Sequence, residues 1–428
     1  MQTLIWNQLN EEQKQSSLQR PAISNAKEIS QIVAQIINQV RTEQDRALKQ
    51  LTEKFDKVAL DQLQVSQEQI LRAGDNLSDE FKQAIKLASG NISKFHQAQK
   101  PKPTMIETQP GIRCELRFSA LEKVGLYVPG GSAPLPSTVM MLAIPAKIAG
   151  CSKIILCSPA PINDAILYTA HMCGVDEIYS IGGAQAVAAM AYGTQSVPKV
   201  DKILGPGNAF VTEAKRQVSQ DYQGAAMDLP AGPSEVLVIA DSKANPAFVA
   251  ADLLSQAEHG PDSQVILVSD SADLAAQVSK EVDRQTELLE RREIAKKALA
   301  NSRAIIVDSL EQAMDVANSY GPEHLIIQTE QPRQLLARVK SAGSVFLGAW
   351  TPESVGDYAS GTNHTLPTYG YTRTYSSLGT ADFMKRYTVQ ELNEQSLNDL
   401  APTVIEIANA EGLSAHRRAV TLRIGQEK

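Results

Sequence analysis

Val124-Gly125-Leu126-Tyr127-Val128, running into Pro129-Gly130-Gly131-Ser132 and then a helical pattern from Thr138 to Ala149, sets the grammar of this chain. A short apolar run that ends on glycines and resumes with helical spacing is a buried strand turning back into a helix. The phrase recurs. Lys153-Ile154-Ile155-Leu156-Cys157 precedes a helical pattern near Asp164 to Cys173. Glu177-Ile178-Tyr179-Ser180-Ile181 ends at Gly182-Gly183, before Ala184 to Ala191. Val200-Asp201-Lys202-Ile203-Leu204 ends at Gly205-Pro206-Gly207-Asn208, before another helix. Short apolar strands alternating with helices predict a parallel sheet covered on both faces.

Downstream, Asp228-Leu229-Pro230-Ala231-Gly232-Pro233-Ser234 reads as a join, and a second series follows. Its strands are expected at Val236 to Ala240, Gln264 to Val268, Ala304 to Val307, His324 to Ile327 and Gly343 to Leu347. A long loop rich in Gly, Ser, Thr and Pro spans Gly348 to Thr372, too long to be mere connection. The remainder, Asp382 to Ile424, reads as a polar helical arm. Upstream, residues 24 to 98 show helical periodicity, Pro101-Lys102-Pro103 breaks it, and a strand-like stretch runs through Arg117. The expected fold is α/β: two doubly wound, incompletely Rossmann-like parallel-sheet domains plus a helical C-terminal arm.

The 428 residues allow two or more domains, and 43% apolar content is ordinary for a globular chain. A net charge of −7 without a basic block argues against nucleic acid or an anionic membrane as the main partner. Cys114, Cys151, Cys157 and Cys173 show no C-x-x-C spacing and read as reduced, buried small hydrophobes. The opening Met1-Gln2-Thr3-Leu4-Ile5-Trp6 lacks a signal-peptide pattern, and no apolar run is long enough to span a membrane. A cytoplasmic location is the expectation.

Chemistry concentrates first around Leu253-Leu254-Ser255-Gln256-Ala257-Glu258-His259-Gly260-Pro261. Asn245-Pro246 starts that helix and Gly260-Pro261 stops it. At about 100° per residue, Gln256 falls beside Val249 and Leu253 on the core-facing stripe, with His259 further along the same edge. Two lone-pair donors three residues apart can grip one metal ion. A histidine in a last turn more often complements the helix dipole, and an amide oxygen is an uncommon zinc ligand, so partners must come from elsewhere. Asp252, one turn earlier, reads as a surface carboxylate, with support of the metal ligands as the alternative.

Among the other histidines, His96 and His171 sit in plain helical contexts and read as structural or surface groups. Glu323-His324 in Gly321-Pro322-Glu323-His324 stands where a strand begins, and such neighbours can form an acid/base pair, although chance neighbours are commoner. Asp357 and His364 fall in the long loop, where a functional role is a better expectation than on a helix. His416 follows Ser414, a possible N-cap that would favour neutral imidazole, with Glu411 nearby; composition alone favours a solvated tail for both. Gly205-Pro206-Gly207-Asn208-Ala209-Phe210 begins like a dinucleotide fingerprint but has Phe210 where the third glycine belongs. Glycines at Gly130, Gly182 and Gly205 could still bring backbone N–H groups against a pyrophosphate.

Several of these stretches together resemble one family. Asp228-Leu229-Pro230-Ala231-Gly232-Pro233-Ser234-Glu235-Val236-Leu237-Val238, running on through Asp252-Leu253-Leu254-Ser255-Gln256-Ala257-Glu258-His259, is similar to the signature of the histidinol dehydrogenases. Gly321-Pro322-Glu323-His324-Leu325, Gly356-Asp357-Tyr358, Gly361-Thr362-Asn363-His364 and Glu411-Gly412-Leu413-Ser414-Ala415-His416 resemble that family too, as do Gly125 to Gly131 and Gly205 to Asn208. The resemblance covers nearly the whole chain, the first hundred residues least distinctively.

The resemblance implies oxidation of L-histidinol through L-histidinaldehyde to L-histidine with two NAD+, in a homodimer holding one Zn2+ per subunit. It implies Gln256, His259, Asp357 and His416 as zinc ligands, and Glu323 and His324 as acid/base residues. Ser234, Gln256, His259, His324, Asp357, Glu411 and His416 would bind substrate, and Tyr127, Gln185 and Asn208 would contact NAD. His324 would take the alcohol proton and Glu323 would activate water against the aldehyde. Residues 1–23 are expected as an N-terminal arm, 24–120 with 236–378 as the substrate and zinc domain, and 121–235 as the NAD domain. Residues 379–428 are expected as a dimerisation arm completing the partner's site. A cysteine-dependent aldehyde dehydrogenase would need a reactive exposed thiol. A two-lobed solute-binding protein would need a signal peptide and would have no use for converging acid/base groups.

Overall fold

The computed structural model describes residues 1–21, 26–130, 134–230 and 232–426. Gly131 and Ser132 of the first turn, Ala231 of the join and residues 22–25 lie outside the described residues. The chain divides into two compact units, one of Met1–Gln99 with Leu121–Phe383, the other of Lys100–Ala120 with Met384–Lys428.

The first unit holds two parallel sheets. One has five strands in the order Glu177–Ser180, Lys153–Ser158, Lys123–Tyr127, Lys202–Leu204, Ala226–Met227. The first strand in the chain is central and later strands add outward on both sides, which is double winding. The other sheet has six strands in the order Gln2–Ile5, Arg303–Ile306, Gln264–Ser269, Glu235–Ala240, His324–Gln328, Ser344–Leu347. Glu235–Ala240, Gln264–Ser269 and His324–Gln328 are buried at every residue, as expected of parallel strands covered on both faces. The expected strands therefore form in both series. The N-terminal arm adds an edge: Gln2–Ile5 pairs parallel with Arg303–Ile306.

Helix Pro246–Ala257 starts as its sequence predicts. The Asn245 side chain accepts from the Ala247 N–H at 2.9 Å, and Pro246 takes the first position, where no N–H is needed. Its buried face carries Val249, Leu253 and Gln256, and also Asp252. Asp252 is thus not a surface carboxylate: it is 6% exposed and accepts a hydrogen bond from Gln328 Nε2.

Helices Ala26–Glu43 and Asp45–Asp56 depart from their expected grouping. Val33, Ile36, Ile37, Val40 and Leu48 share one core with Ala184 to Ala191 and Val211, on the five-stranded sheet and not beside residues 236–378. Helical periodicity tells that a face is buried, but not against which sheet. The long loop also changes character, since Glu353–Tyr358 forms a short helix within it.

The second unit is a three-stranded antiparallel sheet in the order Met384–Leu392, Ile112–Ala120, Thr104–Gln109, with helices Glu394–Ala410 and Ser414–Thr421. The arm expected to be helical from residue 379 thus contains a nine-residue strand, in register from Met384 opposite Ala120 to Leu392 opposite Ile112. That strand has no fully buried residue, so no alternation of apolar and polar groups betrays it. Ser414 is the first helical residue and not the cap, which is Leu413.

Candidate active site

A cleft of about 730 Å³ in the first unit is lined by Ser234, Gln256, His259, Glu323, His324, Asp357 and Asn208. Three of these sit where strands of the six-stranded sheet begin. Ser234 precedes Glu235–Ala240, Glu323 precedes His324–Gln328, and His324 opens that strand. Gly343 lets the neighbouring segment close on them: a Cβ there would lie 2.6 Å from the Glu323 carbonyl oxygen.

Glu235 ties the pair together through its backbone. Its N–H donates to Glu323 Oε2 at 2.8 Å, and its carbonyl oxygen lies 3.0 Å from His324 Nδ1. A carbonyl only accepts, so Nδ1 carries the proton. Nε2 then faces Asp357 Oδ1 at 3.6 Å. Burial pushes the Glu323 carboxyl up to about 8, only partly opposed by His324. Burial alone would lower His324, but Glu323, Asp357 and Glu353 outweigh it and push it up to about 10. Burial would likewise raise Asp357, and the His324 partnership overrides it, holding the carboxyl below its usual range.

Gln256 is 1% exposed, and its Nε2 donates to Glu353 Oε1. The second Glu353 oxygen accepts from Ser255 Oγ at 2.6 Å. Gln256 Oε1 is a buried acceptor with no hydrogen-bond partner, and His324 Nε2 is likewise buried without one. Burial lowers His259 and His364, favouring the neutral, ligating form of imidazole. His364 is held by the Asp357 carbonyl at Nδ1 (2.8 Å) and by Thr138 Oγ1 at Nε2 (3.3 Å).

Sequence reasoning missed Glu353. It is 2% exposed, and one of its oxygens, one of Asp357 and one His324 nitrogen lie within 4.8 Å of one another. The signal was present: Thr351-Pro352-Glu353 is a helix-start pattern inside the supposed loop.

The five-stranded sheet contributes differently. Asn208 Oδ1 caps helix Ala209–Ser219, accepting from Phe210 and Val211 at 3.0 and 3.1 Å. Gly205 adopts φ +125°, and a Cβ there would come 2.1 Å from the Tyr127 carbonyl oxygen, so no other residue fits. Tyr127 and Gln185 are nearly buried and do not line the cleft; the Tyr127 hydroxyl accepts from the Gly183 N–H at 3.0 Å. Glu411 and His416 belong to the second unit, Glu411 capping helix Glu394–Ala410 and His416 exposed on Ser414–Thr421. All four cysteines are free thiols and none lines the cleft. Cys151 and Cys157 are buried, whereas Cys114 and Cys173 are half-buried, not buried as expected. His96 is a core group, bonded to the Ile92 carbonyl and Asn363, and His171 is exposed.

Residues 18–424 match the sequence profile of histidinol dehydrogenase. The chain belongs to the histidinol dehydrogenase family. It is 62% identical over 424 residues to a histidinol dehydrogenase of Vibrio parahaemolyticus, covering 99% of this chain and 98% of that one. With the Aliivibrio fischeri histidinol dehydrogenase the identity is 63%, covering 99% and 97%. The crystal structure of histidinol dehydrogenase from Elizabethkingia anophelis superposes with a TM-score of 0.96 at 47% identity, covering 99% and 98% of the two chains. Family membership makes this α/β protein an oxidoreductase of histidine biosynthesis.

The donor set suits the metal that the family resemblance implies. Gln256 Oε1 is buried and unpartnered, His259 is held toward neutrality, and Asp357 is held as a carboxylate. Nitrogen and oxygen donors of this kind fit a divalent cation such as zinc. Glu353 is the less apt ligand because both its oxygens already accept hydrogen bonds.

Proposed function

We propose that this chain is a zinc-dependent histidinol dehydrogenase that oxidises L-histidinol through L-histidinaldehyde to L-histidine with two NAD+. The observation that carries this reading is one cleft lined by the buried Glu323–His324 pair together with Gln256, His259 and Asp357. Gln256, His259 and Asp357 would hold Zn2+, with His416 completing the set. Bound zinc supplies a Lewis-acidic anchor for amine and imidazole nitrogens, and NAD+ supplies the hydride acceptor.

The protein's own groups then handle protons. Glu323, Asp357 and Glu353 together favour the His324 imidazolium, and committing Asp357 to Zn2+ would remove one of the three. That would move His324 toward the neutral form, its Nδ1–H still on the Glu235 carbonyl, so that Nε2 could take the alcohol proton. Glu323, lifted by burial to about 8, is suited to exchange a proton with water near neutral pH, activating it against the aldehyde. Ser234 lines the same cleft and would help orient the substrate. Asn208, Tyr127 and Gln185 would serve NAD, Asn208 directly at the cleft and the other two by shaping the strand ends.

The reading includes a cytoplasmic homodimer with shared sites, Glu411 and His416 being carried across a two-fold axis by each arm. Exposed Ile407 on helix Glu394–Ala410, and Leu413 and Leu422 at the two ends of Ser414–Thr421, support an apolar contact face there. No helix among the described residues is long and apolar enough to cross a membrane. The test is direct. Purified protein given L-histidinol and NAD+ should form L-histidine and two NADH per histidinol, with activity removed by a chelator and restored by zinc. An absence of NADH, with zinc present, overturns the reading.

A further inference from the structure

Glu235 is a buried acid at the first residue of a fully buried strand, where an apolar residue would ordinarily stand. Its partner comes from the N-terminal arm. Arg20 Nε and one terminal nitrogen grip the two Glu235 oxygens at 2.6 and 2.9 Å, with side-chain exposures of only 11% and 2%. The same Arg20 nitrogen donates to the Tyr320 and Gly321 carbonyls at 2.9 and 3.1 Å. The guanidinium also lies 3.9 Å from the centre of the Tyr320 ring. Arg20 therefore bolts the start of one strand to the turn that leads into the next. Those are the two backbone segments between which Glu323 and His324 are held.

Resting on the proposed reaction, we propose that Arg20 and Glu235 are positioning residues for the Glu323–His324 pair. The link runs from the Arg20 fork through Glu235 to both members of the pair. Arg20 fixes Glu235, whose N–H holds the Glu323 carboxyl and whose carbonyl holds His324 Nδ1. Arg20 also fixes the Tyr320 and Gly321 carbonyls, immediately before Pro322-Glu323-His324. Glu235 Oε1 further accepts the Tyr369 N–H at 2.9 Å, and Tyr369 lines the cleft. None of the Arg20 contacts touches Gln256 or His259, so the device acts on proton transfer and not on the metal ligands. A buried ion pair is weak evidence of net stabilisation but good evidence of imposed geometry. Lysine cannot replace this arginine, because one ammonium cannot form a planar fork while reaching two carbonyls.

Arg20→Met, Arg20→Lys and Glu235→Gln would be purified and compared with the parent protein for kcat, both KM values, bound zinc by elemental analysis and Tm. Displacing an acid/base pair by about 1 Å costs on the order of 10²-fold, so Arg20→Met should lose 10- to 100-fold in kcat. Both KM values should stay within about threefold, as for a loss confined to the transition state, with zinc content unchanged. Arg20→Lys should recover Tm without recovering kcat, and Glu235→Gln should fall between. Unchanged kcat in folded Arg20→Met, a loss that follows zinc content, or full recovery by lysine would overturn the proposal. A separate arm stands whatever substrate is oxidised: the ¹⁵N signals of the His324 ring should shift in Arg20→Met as its Nδ1–H loses alignment with the Glu235 carbonyl. Unmoved His324 signals reject the positioning role even if histidinol proves not to be the substrate.

Discussion

The two parallel sheets of the first unit meet the same cleft from opposite strand ends. The five-stranded sheet follows the general rule for open α/β sheets and presents the carboxyl ends of its strands, after Tyr127 and Leu204. Helices begin there, and a helix N-terminus carries unpaired N–H groups and a partial positive charge suited to a pyrophosphate. The six-stranded sheet presents its amino ends, at Ser234, Glu323 and His324. Helix Pro246–Ala257 finishes there, placing Gln256 and His259 at the end with partial negative charge, which favours a cation. The contrast extends to side chains. From one sheet the cleft is lined mainly by Gly207, Asn208 and Thr212, with Glu213 as its ionisable group, and from the other by the buried pair Glu323 and His324 together with Asp357 and His259. On the proposed reading, one sheet would receive the NAD+ pyrophosphate on its backbone and the other would hold the cation and move protons.

That division can be broken experimentally. The largest effect is expected from His259→Asn, which removes a proposed zinc ligand. Bound zinc should disappear and activity should fall by on the order of 10³-fold, about 4 kcal/mol of transition-state stabilisation, while titration calorimetry finds NAD+ affinity retained. Refolding it with His416→Asn chains should restore about a quarter of activity if each arm completes its partner's site. A smaller effect is expected at the anion end. Gly205→Ala forces a Cβ against the Tyr127 carbonyl and displaces the turn, so kcat/KM for NAD+ should drop by roughly 10²-fold with zinc content intact. Loss of zinc in Gly205→Ala, or of NAD+ affinity in His259→Asn, would erase the distinction between the ends.

Asp252→Asn sharpens the comparison with the least effect on turnover, within about threefold. Burial pushes the Asp252 carboxyl up to about 7, above its ordinary 3.8, against the opposing Gln328 hydrogen bond. Below pH 3.8 folded and unfolded chains are both protonated at this site. Between 3.8 and 7 the unfolded chain releases its proton while the folded chain keeps it, so the parent protein loses stability as pH rises. Asparagine removes that slope. The variant should match the parent near pH 4 and exceed it by about 2–4 kcal/mol at pH 8, read from denaturant midpoints across the range. A difference independent of pH would mean that Asp252 is ionised throughout.

Most of the six-stranded side of the site was legible because helix periodicity is a strong signal. Asn245-Pro246 located the helix start, and 100° per residue put Gln256 on the buried stripe, where it lies. The same periodicity placed Asp252 on a buried edge, but a carboxylate is so rarely buried that composition overruled geometry. Glu353 hid inside a segment whose Gly, Ser and Pro content reads as loop. Arg20 could not be found at all, because an ion pair with Glu235 across 215 residues leaves no local pattern. The strand Met384–Leu392 was misread as helix for a related reason. With no fully buried residue, it is defined by its partner's backbone, and backbone pairing is invisible in residue type.

The three-stranded sheet has a consequence for how the chain is made. Its middle strand, Ile112–Ala120, leaves the ribosome with only the hairpin partner Thr104–Gln109 beside it. The other neighbour, Met384–Leu392, is translated more than 260 residues later. At about 5–20 residues per second the wait is roughly ten seconds to a minute. A two-stranded hairpin is marginal by itself, and through that interval it offers an open edge to any passing strand. The second unit is thus the last to close, and nascent chains pausing before residue 384 are the population most exposed to mispairing and to chaperone capture.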